Sequence, residues 1–333
     1  MASARDDAEG HLTEIALLFP GQGSQTVGMG RALVSGSAAA SDVFRTAGQA
    51  LGEDISHVAW EGPAEDLDQT ENAQPALLTV SIAYLRALEE RLAQEGRSLP
   101  RPRYYAGHSM GQYSAMVAAG VLDLSDAVRL VRERGRQMQA SAPDGAMAAV
   151  IGLDEERIPD LEAAASAAGV LTIANRNSPG QMVVSGERAA VEAAADAARS
   201  LGAKRAIMLP VSVAAHSPLM ARAAEGMRAV LASVRFRDPA APLLANADAR
   251  PLTTGADCRA ELIEHLTRGV DWVRIGRDLE AAGVELAVEV GPGKVLIGLL
   301  KRIAPGIRAV ALDDQTSPGG IAVPSFDASP VTA

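Results

Sequence analysis

The stretch Arg103-Tyr104-Tyr105-Ala106-Gly107-His108-Ser109-Met110-Gly111 reads as a short strand, a tight turn and the first residues of a helix. Gly107 and Gly111 frame the turn in the pattern G-x-S-x-G, the signature of a nucleophile elbow. Two glycines let the chain reverse sharply without a Cβ clash, which pushes Ser109 into the open at a helix N-terminus. Backbone N–H groups at such a terminus can stabilise an oxyanion. A strand that ends in a loop before a helix is also the repeating unit of a parallel α/β sheet.

The flanking sequence extends that unit in both directions. Ile15–Phe19 is an apolar run stopped by Pro20-Gly21-Gln22-Gly23, which predicts a buried strand entering a glycine-rich loop. Gln74–Leu92 is amphipathic, and Val128–Gln139 predicts a helix that ends before Pro143-Asp144-Gly145. From Ala146 to Pro210 the rhythm changes. Strand 147–151, helix 155–168, strands 171–174 and 182–185, helix 189–201 and strand 205–209 follow in β-α-β-β-α-β order, a ferredoxin-like unit. Beyond it, helices are expected at 218–233, 259–267, 273–282 and 295–303, with a strand at 286–290 entering Gly291-Pro292-Gly293.

The fold class expected is therefore α/β: a large, hydrolase-like domain with a mostly parallel sheet and an inserted ferredoxin-like (βαββαβ) small subdomain. The large domain is assigned to residues 12–144 and 207–313 and the small one to 145–206, with flexible ends at 1–11 and 314–333.

Bulk properties narrow the classes of function. With 333 residues, 48% hydrophobic and 22% charged, the chain is long enough for one large core with a companion. An aromatic content of 3% means that core is built from Ala, Val, Leu, Ile and Met. The net charge of -10, with no Lys/Arg run, argues against a nucleic-acid surface. No apolar stretch reaches the ~20 residues needed to span a bilayer, and residues 1–14 have no signal-peptide core. A cytoplasmic protein without membrane attachment is expected. The single Cys258 leaves no internal disulfide and no multi-cysteine metal site, and it reads as a small buried residue.

A nucleophilic serine needs a base, and the chain has five histidines. His11 lies near the terminus, His57 in surface-like sequence, and His108 beside the nucleophile, where the elbow turns its side chain away. His216 and His265 remain. His216 closes an apolar run just before Ser217-Pro218, the kind of strand-end loop that presents catalytic groups, and is the favoured base. Arg134 stands out by periodicity. At 100° per residue it shares a stripe with Ala127, Leu130, Val131 and Met138, opposite Arg129, Arg132, Glu133 and Arg136. A guanidinium on a buried face requires acceptors, supplied either by an internal acid or by a ligand carboxylate.

Together these residues closely resemble the malonyl-CoA:acyl-carrier-protein transacylases of fatty acid synthesis and the related polyketide synthase acyltransferases. The shared motifs are Phe19-Pro20-Gly21-Gln22-Gly23-Ser24-Gln25, Gln74-Pro75-Ala76, Gly107–Gly111, Arg134-Gly135, Asn177-Ser178-Pro179-Gly180-Gln181, Ala215-His216-Ser217 and Glu289-Val290-Gly291-Pro292-Gly293, in order from about residue 12 to about 312. The resemblance implies Ser109 as the acylated nucleophile, His216 as its base and Arg134 as the grip on the malonate carboxylate. It further implies an oxyanion hole from the backbone of Gln22 and Met110. His265, Ala215 and Asn177 fall at histidine-orienting or pocket positions. The implied reaction is ping-pong, with malonyl-CoA as donor substrate, an acyl carrier protein as acceptor, no permanently bound cofactor, and a monomer as the working unit.

Three departures matter. Gln112 stands where many relatives have Glu, His265 where Gln or Asn is common, and Ala215 where polyketide enzymes carry Phe or Ser. The resemblance implies that a backbone carbonyl or an amide side chain near His265 orients His216; in the first case the swap to His matters little, in the second the imidazole adds a second titrating group near His216. The small Ala215 leaves room for an α-substituted malonyl donor. Lys204, Arg205, Lys294, Lys301 and Arg302 are candidates for meeting the donor's phosphates or an acidic carrier. The competing readings are an α/β-hydrolase esterase, an acyl-carrier-protein hydrolase on the same fold, and a docking subunit with a dead site.

Overall fold

The computed structural model describes residues 13–141, 144–317 and 320–326. Its strands, in chain order, are β1 (Ile15–Phe19), β2 (Tyr104–Gly107), β3 (Gly145–Ile151), β4 (Leu171–Ser178), β5 (Gln181–Glu187), β6 (Arg205–Met208), β7 (Leu243–Leu244), β8 (Pro251–Leu252), β9 (Val270–Asp271), β10 (Leu286–Glu289), β11 (Arg308–Ala311), β12 (Thr316–Ser317) and β13 (Gly320–Ile321).

One sheet runs β11-β10-β1-β2-β7-β8. Its first four pairings are parallel, and β8 closes the edge antiparallel to β7. β1 is buried along its whole length, as a central strand covered on both faces must be. Apolar side chains on one face of this sheet join a core with the long helix Thr70–Gln94, while Ala16, Leu18, Ala106 and Ala287 on the other pack under the helices Trp272–Ala281 and Val295–Ile303.

The second sheet has the order β6-β3-β5-β4-β9. Its first four strands are mutually antiparallel, and the helices Ile158–Ala165 and Arg188–Ser200 share a separate core with them. This is the 4-1-3-2 order of a βαββαβ unit. Two features differ from the sequence expectation. The sheet takes a fifth strand, β9, from beyond residue 206, pairing parallel to β4 at Asn175↔Val270 and Arg176↔Asp271. β4 also runs on past Ala174 to Ser178, through two register shifts, because the polar run Asn175-Arg176-Asn177 hides it from hydrophobic patterning.

Part of the segment 314–333, expected to be flexible, is among the described residues. β12 and β13 pair, and Ile321 and Phe326 are buried in the main core; apolar burial fixes a segment that its Ser/Pro/Gly content suggested would be loose. Residues 1–11 and 327–333 lie outside the described residues. The helix expected at 259–267 runs instead over Gly255–Glu264, because the Thr254 side chain caps the Asp257 N–H and Asp257 caps Thr254 in return. No helix among the described residues is long and apolar enough to cross a membrane.

Candidate active site

Ser109 sits between β2 and the helix Gly111–Ala118 with φ of 52°, the left-handed region that a serine adopts only when its surroundings impose it. The glycines around it are steric necessities. A Cβ on Gly107 would lie 2.1 Å from the backbone of Gly111, and one on Gly111 would lie 2.2 Å from Phe19 O. The loop after β1 presses on the same turn, since a Cβ on Gly21 would meet His108 O at 2.4 Å. This approach brings Gln22 to the cavity that Ser109 and Met110 line. The side chain of Gln22 is tied back, its Oε1 accepting from Thr70 Oγ1 at 2.8 Å. Neither the Gln22 nor the Met110 backbone N–H donates to another described residue.

Ser109 Oγ lies 2.7 Å from His216 Nε2. The other ring nitrogen, Nδ1, faces two carbonyls, His265 O at 2.6 Å and Arg268 O at 3.0 Å. Carbonyls only accept, so Nδ1 carries the proton and Nε2 is left as the acceptor for the serine hydroxyl. The origin of these acceptors is simple. His265 is the C-cap of the helix Gly255–Glu264, where the last carbonyls have no partner within the helix. The orienting group is thus the main chain at 265, and the identity of that side chain is immaterial to the hydrogen bond.

The His265 ring itself is 1% exposed, with neither nitrogen hydrogen-bonded and its centroid 6.1 Å from that of His216. Burial, with Arg134 and His216 nearby, holds its pKa well below the usual histidine range. Such an imidazole stays neutral at the pH where an ordinary histidine begins to charge. His216 is likewise pushed down, to about 4, chiefly by burial and then by the positive charge of Arg134, against a smaller opposing effect of the two carbonyls. A base with a lowered pKa stays neutral until acid reaches that value. If this imidazole is the base of an acyl transfer, a tenfold-per-unit fall in rate is expected only below about pH 4, and kcat/KM measured from pH 8 to 3 checks it. A tenfold-per-unit limb centred at 6.5 would contradict this geometry.

Arg134 lies on the helix Leu124–Ser141 and is 2% exposed. The predicted stripe of Ala127, Leu130, Val131, Arg134 and Met138 is buried throughout. Of the opposite face, Arg132 is also buried, because it bonds Asn72 Oδ1 at 2.6 Å and pairs with Glu53. Gly135 is what lets this helix sit close to the helix Thr70–Gln94, since a Cβ there would lie 2.5 Å from Glu71 Cα. That contact puts Arg134 Nη1 2.8 Å from Gln74 Oε1, and Nη2 reaches Ser109 Oγ at 3.3 Å. Nε has no partner, and no described carboxylate forms an ion pair with Arg134. Of the two readings left open by periodicity, an internal acid and a ligand carboxylate, the first is not met.

These groups border a cavity of about 220 Å³. Its polar lining includes Gln22, Ser109, His216 and Arg134, together with Asp68 and Gln25, which bond each other at 2.8 Å, and its apolar wall is Met138, Met147, Leu209, Val211, Val213 and Ala215. Asn177 is elsewhere. Its Oδ1 accepts from His108 Nε2 at 2.9 Å, and His108 packs on Trp272, so Asn177 supports the elbow's neighbour and does not touch His216. Asn175, two residues earlier, lines the cavity instead. Gln112 is fully buried and uses both ends of its amide, accepting from Gly107 N and donating to Leu244 O, which explains why an amide serves here. None of Lys204, Arg205, Lys294, Lys301 and Arg302 borders the cavity. Cys258 is buried, with its thiol pushed up to about 12 by burial, and is chemically quiet.

Sequence reasoning missed Asn246, Glu261 and the role of Gln74. Asn246 lies between β7 and β8, and its Oδ1 accepts from Ser109 N at 2.8 Å. Gln74 belonged to a shared motif without an assigned task. The one available signal was its position at the start of an apolar helix, where an amide has to find a buried partner.

The Acyl transferase domain family matches residues 16–272. The malonyl CoA-acyl carrier protein transacylase of Escherichia coli (strain K12) is 44% identical over 308 residues, 92% of this chain and 98% of that protein. The solved malonyl CoA-acyl carrier protein transacylase of Coxiella burnetii superposes with a TM-score of 0.87 at 38% identity, covering 91% of this chain and 95% of that one. A malonyl-transacylase solved in complex with a type II PKS acyl-carrier protein gives 0.84 at 38% identity, covering 90% and 95%. The chain belongs to the Acyl transferase domain family and, within it, to the malonyl CoA-acyl carrier protein transacylases.

Proposed function

We propose that this protein transfers a malonyl group from coenzyme A to the phosphopantetheine thiol of an acyl carrier protein through an ester on Ser109. The observation that carries the reading is a buried guanidinium with no carboxylate partner, 3.3 Å from the serine oxygen. A permanent positive charge in such a place is costly unless an anion arrives to match it. A free carboxylate on the acyl group, gripped by Arg134, supplies that anion and sets the thioester carbon beside Ser109.

In the first half-reaction Ser109 Oγ bonds to the thioester carbon while its proton passes to His216 Nε2. The N–H groups of Gln22 and Met110 hold the resulting oxyanion. The C–S bond then breaks, and the departing coenzyme A sulfur takes the proton from His216. In the second half the carrier thiol gives its proton to His216, its sulfur bonds to the ester carbon, and Ser109 Oγ leaves and regains the proton. Every group in the scheme comes from one chain, which suits a monomer as the working unit, and no resident cofactor takes part. A hydrolase of neutral acyl groups would gain nothing from Arg134, which disfavours the esterase reading.

The donor includes α-substituted malonyl groups in this reading. Ala215 and the apolar wall beside it leave space next to the acyl α-carbon, and one extra methylene changes binding by only ~1–3 kcal/mol. The test is a competition of malonyl-, methylmalonyl-, ethylmalonyl- and acetyl-CoA, with intact mass read before and after carrier protein is added. Malonyl and methylmalonyl adducts that leave for the carrier are expected. An acetyl adduct dominating the mixture would overturn the reading.

A further inference from the structure

One polar pair beneath the elbow is unused by the scheme above. The Asn246 carboxamide reaches the backbone on both sides of His108, with Oδ1 accepting from Ser109 N at 2.8 Å and Nδ2 donating to Gly107 O at 3.0 Å. Asn246 is fully buried and is itself held at both ends. Its N–H donates to Glu261 Oε1 at 2.7 Å, and its carbonyl accepts from Asp271 N at 2.7 Å. Glu261 is 2% exposed, and its second oxygen lies 4.0 Å from Arg250 Nη2. A buried carboxylate so placed is a costly way to satisfy one amide, and the amide it satisfies belongs to the residue that grips the nucleophile.

The geometry points to Asn246 and Glu261 as positioning residues for acyl transfer: the carboxamide locks Ser109 in the strained conformation that presents Oγ to His216, and the carboxylate locks the carboxamide. The inference rests on Ser109 as the nucleophile. Without the clamp, no other described residue accepts from the Ser109 N–H, and the residue can leave its φ of 52° for an unstrained region. A shift of about 1 Å in the attacking atom costs on the order of 10²-fold in rate. The alternative is that Asn246 merely stitches β2 to the loop after β7. That role would lower stability and leave turnover per folded molecule intact.

Glu261 adds a second readout. It is faced by Arg250 and Asp248 from the loop after β7 and by Glu264 and Cys258 from its own helix; Arg268 ties Asp248 to Glu264. Burial raises its carboxyl to about 7, so its charge changes across the neutral range. The bond from Asn246 N–H is charge-assisted only in the ionised form. The clamp is therefore firmest above pH 7 and loosens as pH falls through it, a shallow step well separated from the His216 limb.

The experiment is single-turnover formation of the malonyl adduct in wild type, Asn246→Ala, Glu261→Ala and Glu261→Gln, each checked for folding by circular dichroism and Tm. Asn246→Ala is expected to lose about 10²-fold in kcat with KM for malonyl-CoA within about threefold. Glu261→Ala should be slowed about tenfold. Glu261→Gln, whose amide oxygen still accepts from Asn246, should recover to within about threefold and lose the step near pH 7. A folded Asn246→Ala with wild-type kcat overturns the inference. Should that variant not fold, the Glu261 pair decides, because both at wild-type kcat, or both equally slow, also overturns it. Absence of any adduct on the wild type would count against the serine ester itself, whereas a normal wild type beside an unchanged Asn246→Ala counts only against the clamp.

Discussion

Ser109→Ala is expected to fold normally and to carry no acyl adduct, with transfer to carrier protein reduced on the order of 10⁴-fold or more. The size follows from the scheme: among the described residues the Ser109 alcohol alone contacts both His216 Nε2 and the Arg134 guanidinium. Folding should survive because alanine removes one oxygen, while the N–H that Asn246 holds is main chain. Intact mass after mixing with malonyl-CoA gives the answer directly. A full-strength adduct on the variant would place the nucleophile elsewhere. Binding of malonyl-CoA itself should persist, since Arg134 remains.

Arg134→Ala should lower kcat/KM about 10²–10⁴-fold with malonyl-CoA, the rate equivalent of the ~3–5 kcal/mol lost when one partner of a buried charge pair is removed. With acetyl-CoA, which has no free carboxylate, the loss should stay below about tenfold. The measurement is the ratio of the two, and equal losses would make Arg134 structural. A second consequence has a definite sign. The Arg134 charge is part of what lowers His216, so its removal moves the His216 pKa up toward the ordinary histidine value, and the acid limb of the remaining activity shifts to higher pH.

Much of this site could be read from residue patterns, and the parts that could not share a physical reason. The elbow was legible because two glycines at fixed spacing answer to local sterics, and Arg134 because helical periodicity exposes a charge on an apolar stripe. β1 and β10 announced themselves as apolar runs. The extension of β4 through Asn175 and Asn177 did not, because its residues are polar and β9, the partner on its outer edge, is remote in sequence. His265 drew attention as an imidazole, yet its contribution is a carbonyl, which every residue type carries; no side-chain pattern can disclose it. Asn246 and Glu261 were hidden likewise, since their hydrogen bonds span 137 and 15 residues and leave no periodic trace.

The short pairing of β4 with β9 limits how the enzyme can move. β9 begins two residues after Arg268, and the carbonyls at 265 and 268 are the two that hold His216 Nδ1. On the other side of that ladder β4 carries Asn175 into the cavity wall and Asn177 onto His108. Asp271, in β9, also donates its N–H to the carbonyl of Asn246. A swing of the ferredoxin-like unit large enough to widen the cavity would pull on the strand that anchors the imidazole, and on the residue that braces the serine. The β4–β9 ladder thus ties the two sheets together at the very elements that position His216, His108 and Asn246.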